Sequence, residues 1–230
     1  LRSLRALRFQ AKLGFEIGTA IEDTLAEAAQ LLDAIPAARL FDEMLKFFLS
    51  GYATTAWRLL AATPLCNAVF PISEPGDEMI TLAMRNTDER IAADKPVTPG
   101  FLIAVLLWLD YSGRAKEFAE SMKPAEARTR AAVETLAQQQ QIIALPRRFS
   151  QFVRDVWQLQ GRLETRPIRS IDRVFQHPRF RAAYDFLMLR AEAGEEVAEP
   201  AQWWTRFQDV DQEQSQQMID ELRDQQPTRK

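Results

Sequence analysis

Apolar residues in this 230-residue chain recur three and four places apart and never in sustained alternation. Leu4, Leu7 and Ala11 form one such series, and Leu40, Met44, Phe47 and Phe48 another. That spacing turns one face of a helix toward a core, whereas a half-buried strand needs a spacing of two. With no alternating run and no internal repeat, the chain is expected to be all-α, without a sheet and without a solenoid. Hydrophobic residues make up 47% of it, enough to close a core at this length.

Glycine, proline and capping residues divide the helical pattern. Gly14 can close the first helix, and Thr19 with Glu22 reads as a capping box for a second that runs to about Ala34 and is ended by Pro36. Helices are expected next over 37–50 and 53–62, the latter stopping before Pro64. The stretch from Asn67 to Gly76 holds Pro71 and Pro75 and reads as a connection between two helical groups. Further helices are expected over 77–93, over 99–109 with Thr98 as N-cap and Pro99 in the first turn, and over 114–121, 124–143, 147–163, 168–175, 178–192, 203–208 and 212–225.

The composition excludes several functions. The longest apolar run, Phe101 to Leu109, is far short of the roughly 20 residues that cross a bilayer, and no secretory leader opens the chain, so no membrane role is expected. Cys66 stands alone and is expected to be a buried, inert thiol in a cytoplasmic protein. The single histidine, His177, precedes Pro178 at a helix start, where capping is expected rather than acid–base work. No Gly-rich phosphate loop, Cys/His metal cluster or nucleophile elbow occurs. Asp209 and Asp211 open an acidic helix and read as capping residues, not a metal pair. The chain is therefore expected to hold no catalytic residue and no metal site of its own.

Charge is segregated. Residues 1–14 carry Arg2, Arg5, Arg8 and Lys12 without an acid; Pro146 to Arg190 holds ten arginines against four acids; 191–226 holds ten acids against two arginines. The two basic segments are candidates for polyanion contact, with solvated helix faces as the alternative reading.

The opening residues, Leu-Arg-Ser-Leu-Arg-Ala-Leu-Arg-Phe-Gln-Ala-Lys-Leu-Gly-Phe, resemble the neck helix of class II nucleotidyltransferases, the superfamily of bacterial poly(A) polymerases and CCA-adding enzymes. The resemblance continues through Ile35 to Glu43, Leu59-Leu60 to Phe70-Pro71, Asn86 to Ile91 and Pro99 to Trp108. Two later blocks, Leu145 to Phe149 with Arg154 to Gln160, and His177 to Asp185, are similar to the bacterial poly(A) polymerase I branch rather than to CCA-adding enzymes. The likeness covers nearly the whole chain, weakly over 112–142 and after Gln208.

The resemblance implies a neck over 1–71, a body over 72–145, a C-terminal RNA-binding arm over 146–208 and an acidic helix and tail over 209–230. In the superfamily a Glu-Asp-x-x-Arg motif leads into this helix, its aspartate and arginine reading the incoming base in place of a template. The match puts Arg2 on the motif's arginine and Arg5 one turn later, so Arg2 and Arg5 are the expected nucleotide contacts. A planar donor fork suits an acceptor on a base edge. Leu1 stands inside that motif, and Arg229-Lys230 stands where the family continues into an arginine-rich tail. The chain is thus expected to be the neck, body and C-terminal region of a larger enzyme whose head binds the metal ions. That enzyme would add AMP from ATP, with Mg2+, to RNA 3′ ends; this chain alone is expected to be inactive and to bind ATP negligibly.

For RNA, Arg147, Arg148 and Arg154 form one candidate group and Arg179 and Arg181 a second, with structural ion pairs as the alternative for each. Phe149, Trp157, Tyr184 and Trp204 are read as core aromatics, and Trp203 as the one that could stack on a base. Two other functions are carried: a CCA-adding enzyme, and a non-catalytic helical adaptor. RNA-degradation or RNA-chaperone proteins are conceivable partners that the sequence does not specify.

Overall fold

The computed structural model describes residues 1–16, 18 and 24–225. Fourteen α-helices and two short 3-10 turns make up the regular structure of these residues, with no strand among them. The Thr19–Glu22 capping box and the Arg229-Lys230 terminus lie outside the described residues. The chain divides into two compact units, Leu1–Arg154 and Asp155–Lys230.

In the first unit, α1 (Arg2–Leu13) buries Leu4, Leu7 and Ala11, and Gly14 ends it with a left-handed φ of 69° and an N–H donated to the Gln10 carbonyl. α2 (Leu25–Gln30) tightens into a 3-10 turn (Leu31–Ala34). It stops there because Pro36 holds Ile35 in an extended conformation. α3 (Ala37–Phe48) buries Leu40, Phe41, Met44, Phe47 and Phe48, with Glu43 on the same face. α4 (Ala53–Ala61) starts on a borrowed cap: the Asp88 carboxylate accepts the N–H groups of Ala53 at 2.6 Å and Thr54 at 2.9 Å. Asp88 belongs to α6 (Glu78–Ala92), whose own first turn is capped by Asp77.

Two expectations are corrected in this unit. The connection expected from Asn67 begins with a helix, α5 (Leu65–Val69), because Leu65, Cys66 and Val69 are all buried and hold that turn in place. The break expected between residues 109 and 114 falls earlier. α7 (Pro99–Leu106) ends at Leu107, and α8 (Trp108–Ala119) then runs through Ser112 and Gly113. Burial of Trp108 and Tyr111 outweighs the roughly 1 kcal/mol that a helical glycine costs. α9 (Pro124–Ile142) follows, and its buried Gln139 donates to the Val69 carbonyl at 2.9 Å. α10 (Arg147–Thr165) packs its first turns in this unit, where Phe149 meets Phe41 with ring centroids 5.6 Å apart.

The second unit closes around Leu163, Val174, Phe180, Leu187, Trp204 and Phe207, among others. Its elements after α10 are a 3-10 turn (Ile168–Ser170), α11 (Ile171–Phe175), α12 (Phe180–Glu192), α13 (Ala198–Asp209) and α14 (Gln212–Gln225). α13 starts five residues ahead of the expected 203. Pro200 lies in its first turn, where a missing N–H costs no helical hydrogen bond. Trp203 is core: it is 5% exposed and stacks on Phe207 with centroids 4.8 Å apart. The reading of Trp203 as a base-stacking residue is therefore corrected. Its neighbour Trp204 is fully buried and donates its indole N–H to the Leu163 carbonyl.

Of the polar residues read as caps, His177 and Asp211 bond backbone N–H groups at helix starts, whereas Asp209 is the last residue of α13 and Thr98 precedes α7 without a side-chain cap bond. The His177 Nδ1 accepts the N–H of Arg179 just ahead of α12. Asp211 opens α14 by a reciprocal pair, its carboxylate accepting the Gln214 N–H while its own N–H donates to the Gln214 side-chain oxygen.

Candidate nucleotide and RNA contacts

The apolar series on α1 decides what its other face presents. With Leu4, Leu7 and Ala11 turned inward, Arg2 and Arg5 are exposed on successive turns, together with Phe9, Lys12 and Leu13. Arg5 is not loose: its Nε donates to Glu43 Oε2 at 3.0 Å, while Arg8 Nε donates to Glu43 Oε1 at 3.2 Å. The Glu43 side chain is 3% exposed, so one buried carboxylate takes both arginines. Arg8 is mostly covered and lies 4.6 Å over the Phe9 ring. Glu43 escaped sequence reasoning, although its signal was legible: an acid three residues after Leu40 and four before Phe47 sits on the core face of an amphipathic helix.

Arg147 and Arg148 are exposed at the front of α10, and Arg148 lies 4.7 Å over the Phe149 ring. Arg154, two turns on, donates to Gln151 Oε1 at 3.1 Å. The structure thus gathers these three at one end of a single helix, whose Phe149 touches α3, the helix that also carries Glu43.

In the second unit Arg179 and Arg181 flank Phe180 at the start of α12. Arg179 approaches Asp155 at 3.9 Å, and Arg181 pairs with Asp185 at 3.0 Å while lying 5.4 Å from the Tyr184 ring centroid. Both remain exposed, and such pairs contribute at most about 1 kcal/mol, so exchange of a carboxylate for a phosphate is cheap.

Two arginines of the same segment belong elsewhere. Arg190 is buried and donates to Gln160, Glu164 and Glu195, and Arg166 makes a two-pronged pair with Glu199 beside Trp203. The other exposed cations of this unit include Arg162, Arg169 and Arg173.

Burial pushes the Cys66 thiol up to about 11, which keeps it protonated and unreactive at neutral pH. Among the described residues no group of three or more His, Cys, Asp or Glu side chains could hold a metal ion, and no helix is long and apolar enough to cross a membrane.

Comparison with known proteins matches two family models. One described as "Polymerase A arginine-rich C-terminus" covers residues 120–230, and one described as "Probable RNA and SrmB-binding site of polymerase A" covers residues 14–75. Poly(A) polymerase I of Escherichia coli O157:H7 is 35% identical over 99% of the chain and 52% of its own length. Poly(A) polymerase I of Salmonella typhi is 35% identical over 97% of the chain and 51% of its own length. The Haemophilus influenzae enzyme of the same name is 36% identical over 96% and 52%. The chain spans about half the length of these curated relatives. From its exposed arginine pair on α1 to its arginine-bearing C-terminal helices, the chain belongs to the bacterial poly(A) polymerase I family.

Proposed function

We propose that the complete gene product adds AMP units from ATP to RNA 3′ ends without a template, and that this chain supplies base recognition and RNA binding to that reaction. The observation that carries the proposal is the alignment with poly(A) polymerase I over 96–99% of the chain at 35–36% identity. It is supported by the paired guanidinium groups on the open face of α1. ATP and Mg2+ are the substrate and metal of the whole enzyme, and this chain holds neither by itself. Arg2 and Arg5 form one wall of the nucleotide pocket, donating to acceptors on the adenine edge. Arg147, Arg148, Arg154, Arg179 and Arg181 hold the phosphates of the single-stranded primer. Region 14–75, which matches a model named for RNA and SrmB, extends RNA contact to the neck and is where an RNA-processing protein would dock. The organisation of neck over 1–71, body over 72–145 and arm over 146–208 belongs to the same reading, as does a cytoplasmic location.

Primer extension by the complete gene product tests this reading. With Mg2+ and single nucleotides, ATP is expected to be incorporated repeatedly and CTP poorly. Equal use of CTP would point to a CCA-adding enzyme, and no incorporation of either would point to a helical adaptor.

A further inference from the structure

We propose that Phe175 is a base-stacking residue of the second unit, on which a base of single-stranded RNA rests while Arg179 and Arg181 hold the neighbouring phosphates. The assignment rests on the RNA-binding role given to these arginines above.

Among the described residues of the second unit seven aromatic side chains are buried, Trp203 included, and one, Phe175, is 38% exposed. Phe175 ends α11, and its ring is held on the core side by two others. The Phe180 ring lies 5.1 Å away at 75° and the Phe207 ring 5.3 Å away at 88°. Two near-perpendicular neighbours fix the orientation of the ring, and the rest of its surface faces solvent. A side chain held before the ligand arrives loses little rotamer freedom on binding.

The charge around the ring selects the ligand. Segment 168–181 carries Arg169, Arg173, Arg179 and Arg181, all exposed, against one acid, Asp172. Phe180 lies between Arg179 and Arg181, and Phe207 follows the exposed Arg206, so cations flank both rings on which Phe175 packs. A polyanion that also offers flat apolar faces satisfies ring and cations together. Single-stranded RNA is such a ligand, since its phosphates take guanidinium groups and its bases are open to stacking. Phenylalanine brings no hydrogen bond to the base, so the contact tolerates any sequence.

The test uses the complete gene product and its Phe175→Leu, Phe175→Tyr and Arg179→Ala/Arg181→Ala variants. Affinity for single-stranded oligoadenylate, and for an oligomer of equal length that lacks bases, is measured across a salt series, with the thermal midpoint and solution mass of each protein. Leucine keeps most of the apolar volume and removes the flat face. F175L is expected to weaken oligoadenylate binding about tenfold at every salt concentration and to leave the log–log salt slope unchanged, because a stacked base releases no counterions. Its affinity for the base-free oligomer should match that of the unsubstituted protein, and F175Y should bind oligoadenylate as the unsubstituted protein does. The double arginine variant should instead flatten the slope by about 1.4, at about 0.7 per contact.

Equal affinity of F175L and the unsubstituted protein for oligoadenylate would overturn the proposal and leave the RNA role of the arginines standing. A loss shared by the base-free oligomer would overturn it too, because stacking cannot be its cause. A lower solution mass for F175L with RNA binding intact would make Phe175 a contact between copies and not a stacking residue. If the unsubstituted protein binds no RNA, the role given to the arginines fails and this assignment fails with it. Should F175L not fold, ultraviolet crosslinking of the unsubstituted protein to RNA decides: an adduct at Phe175 is expected, and adducts confined to other residues would contradict the proposal.

Discussion

Arg166 and Arg190 carry the same charge as Arg147 and Arg181 and lie in the same run of sequence, yet they serve the inside of the second unit. The Arg190 side chain is 6% exposed, and its guanidinium reaches Gln160, Glu164 at 2.5 Å and Glu195 at 2.8 Å. Removing it takes a shared guanidinium from two carboxylates that are each about a third exposed. Arg190→Ala is therefore expected to destabilise the protein by about 2–3 kcal/mol, below the 3–5 kcal/mol typical of a broken, fully buried pair. Urea unfolding checks this, and a change below about 0.5 kcal/mol would contradict it. At this scale the sequence was only partly legible. A count of arginines between Pro146 and Arg190 treats all as equal, and only their partners, such as Glu199 for Arg166, separate the interior ones from the exposed ones. Glu43 was missed for the same reason: its role appears when α1 is laid against α3.

Most helices were legible because their ends are written in the chain. Gly14, Pro36, Pro99 and Pro124 each mark a boundary within one or two residues of where it falls. The ends that went astray are those fixed by burial. Trp108 and Tyr111 carry α8 through Gly113, and α13 starts at Ala198 because Pro200 is harmless in a first turn.

Gly100 shows a constraint that no local pattern reveals. A Cβ added there would meet the Phe152 ring at 2.8 Å, so the front of α7 lies against α10 only because that side chain is absent. Gly100→Ala should cost about 1–3 kcal/mol through overpacking, although alanine is the better helix former. A thermal midpoint equal to or above that of the unsubstituted protein would contradict this packing.

For the whole molecule, the exposed arginines predict a polyelectrolyte signature. If about four of Arg147, Arg148, Arg154, Arg179 and Arg181 contact phosphates, log affinity for single-stranded RNA should fall with log salt at a slope of about −3, each contact contributing about −0.7. Replacing both Arg148 and Arg154 by alanine should flatten the slope by about 1.4. Salt-independent binding, or none at low salt, would remove these arginines from the RNA path. The family and the all-α fold were legible over most of the chain, because α1, α3 and α10 carry dense runs of recognisable residues, while 112–142 and the residues after Gln208 carried the likeness only weakly. How the arginines divide between RNA and interior pairs was not, since both uses draw on the same residue type.

The central claim is that the guanidinium of Arg2, exposed at the front of α1, helps to choose adenine. Its most direct test is the ratio of kcat/KM for ATP to that for CTP in the complete gene product, with and without Arg2→Ala. Loss of a charge-assisted hydrogen bond worth about 1.5–3 kcal/mol predicts a ten- to hundredfold fall in that ratio in a protein that remains folded. A ratio unchanged by the substitution would contradict the account.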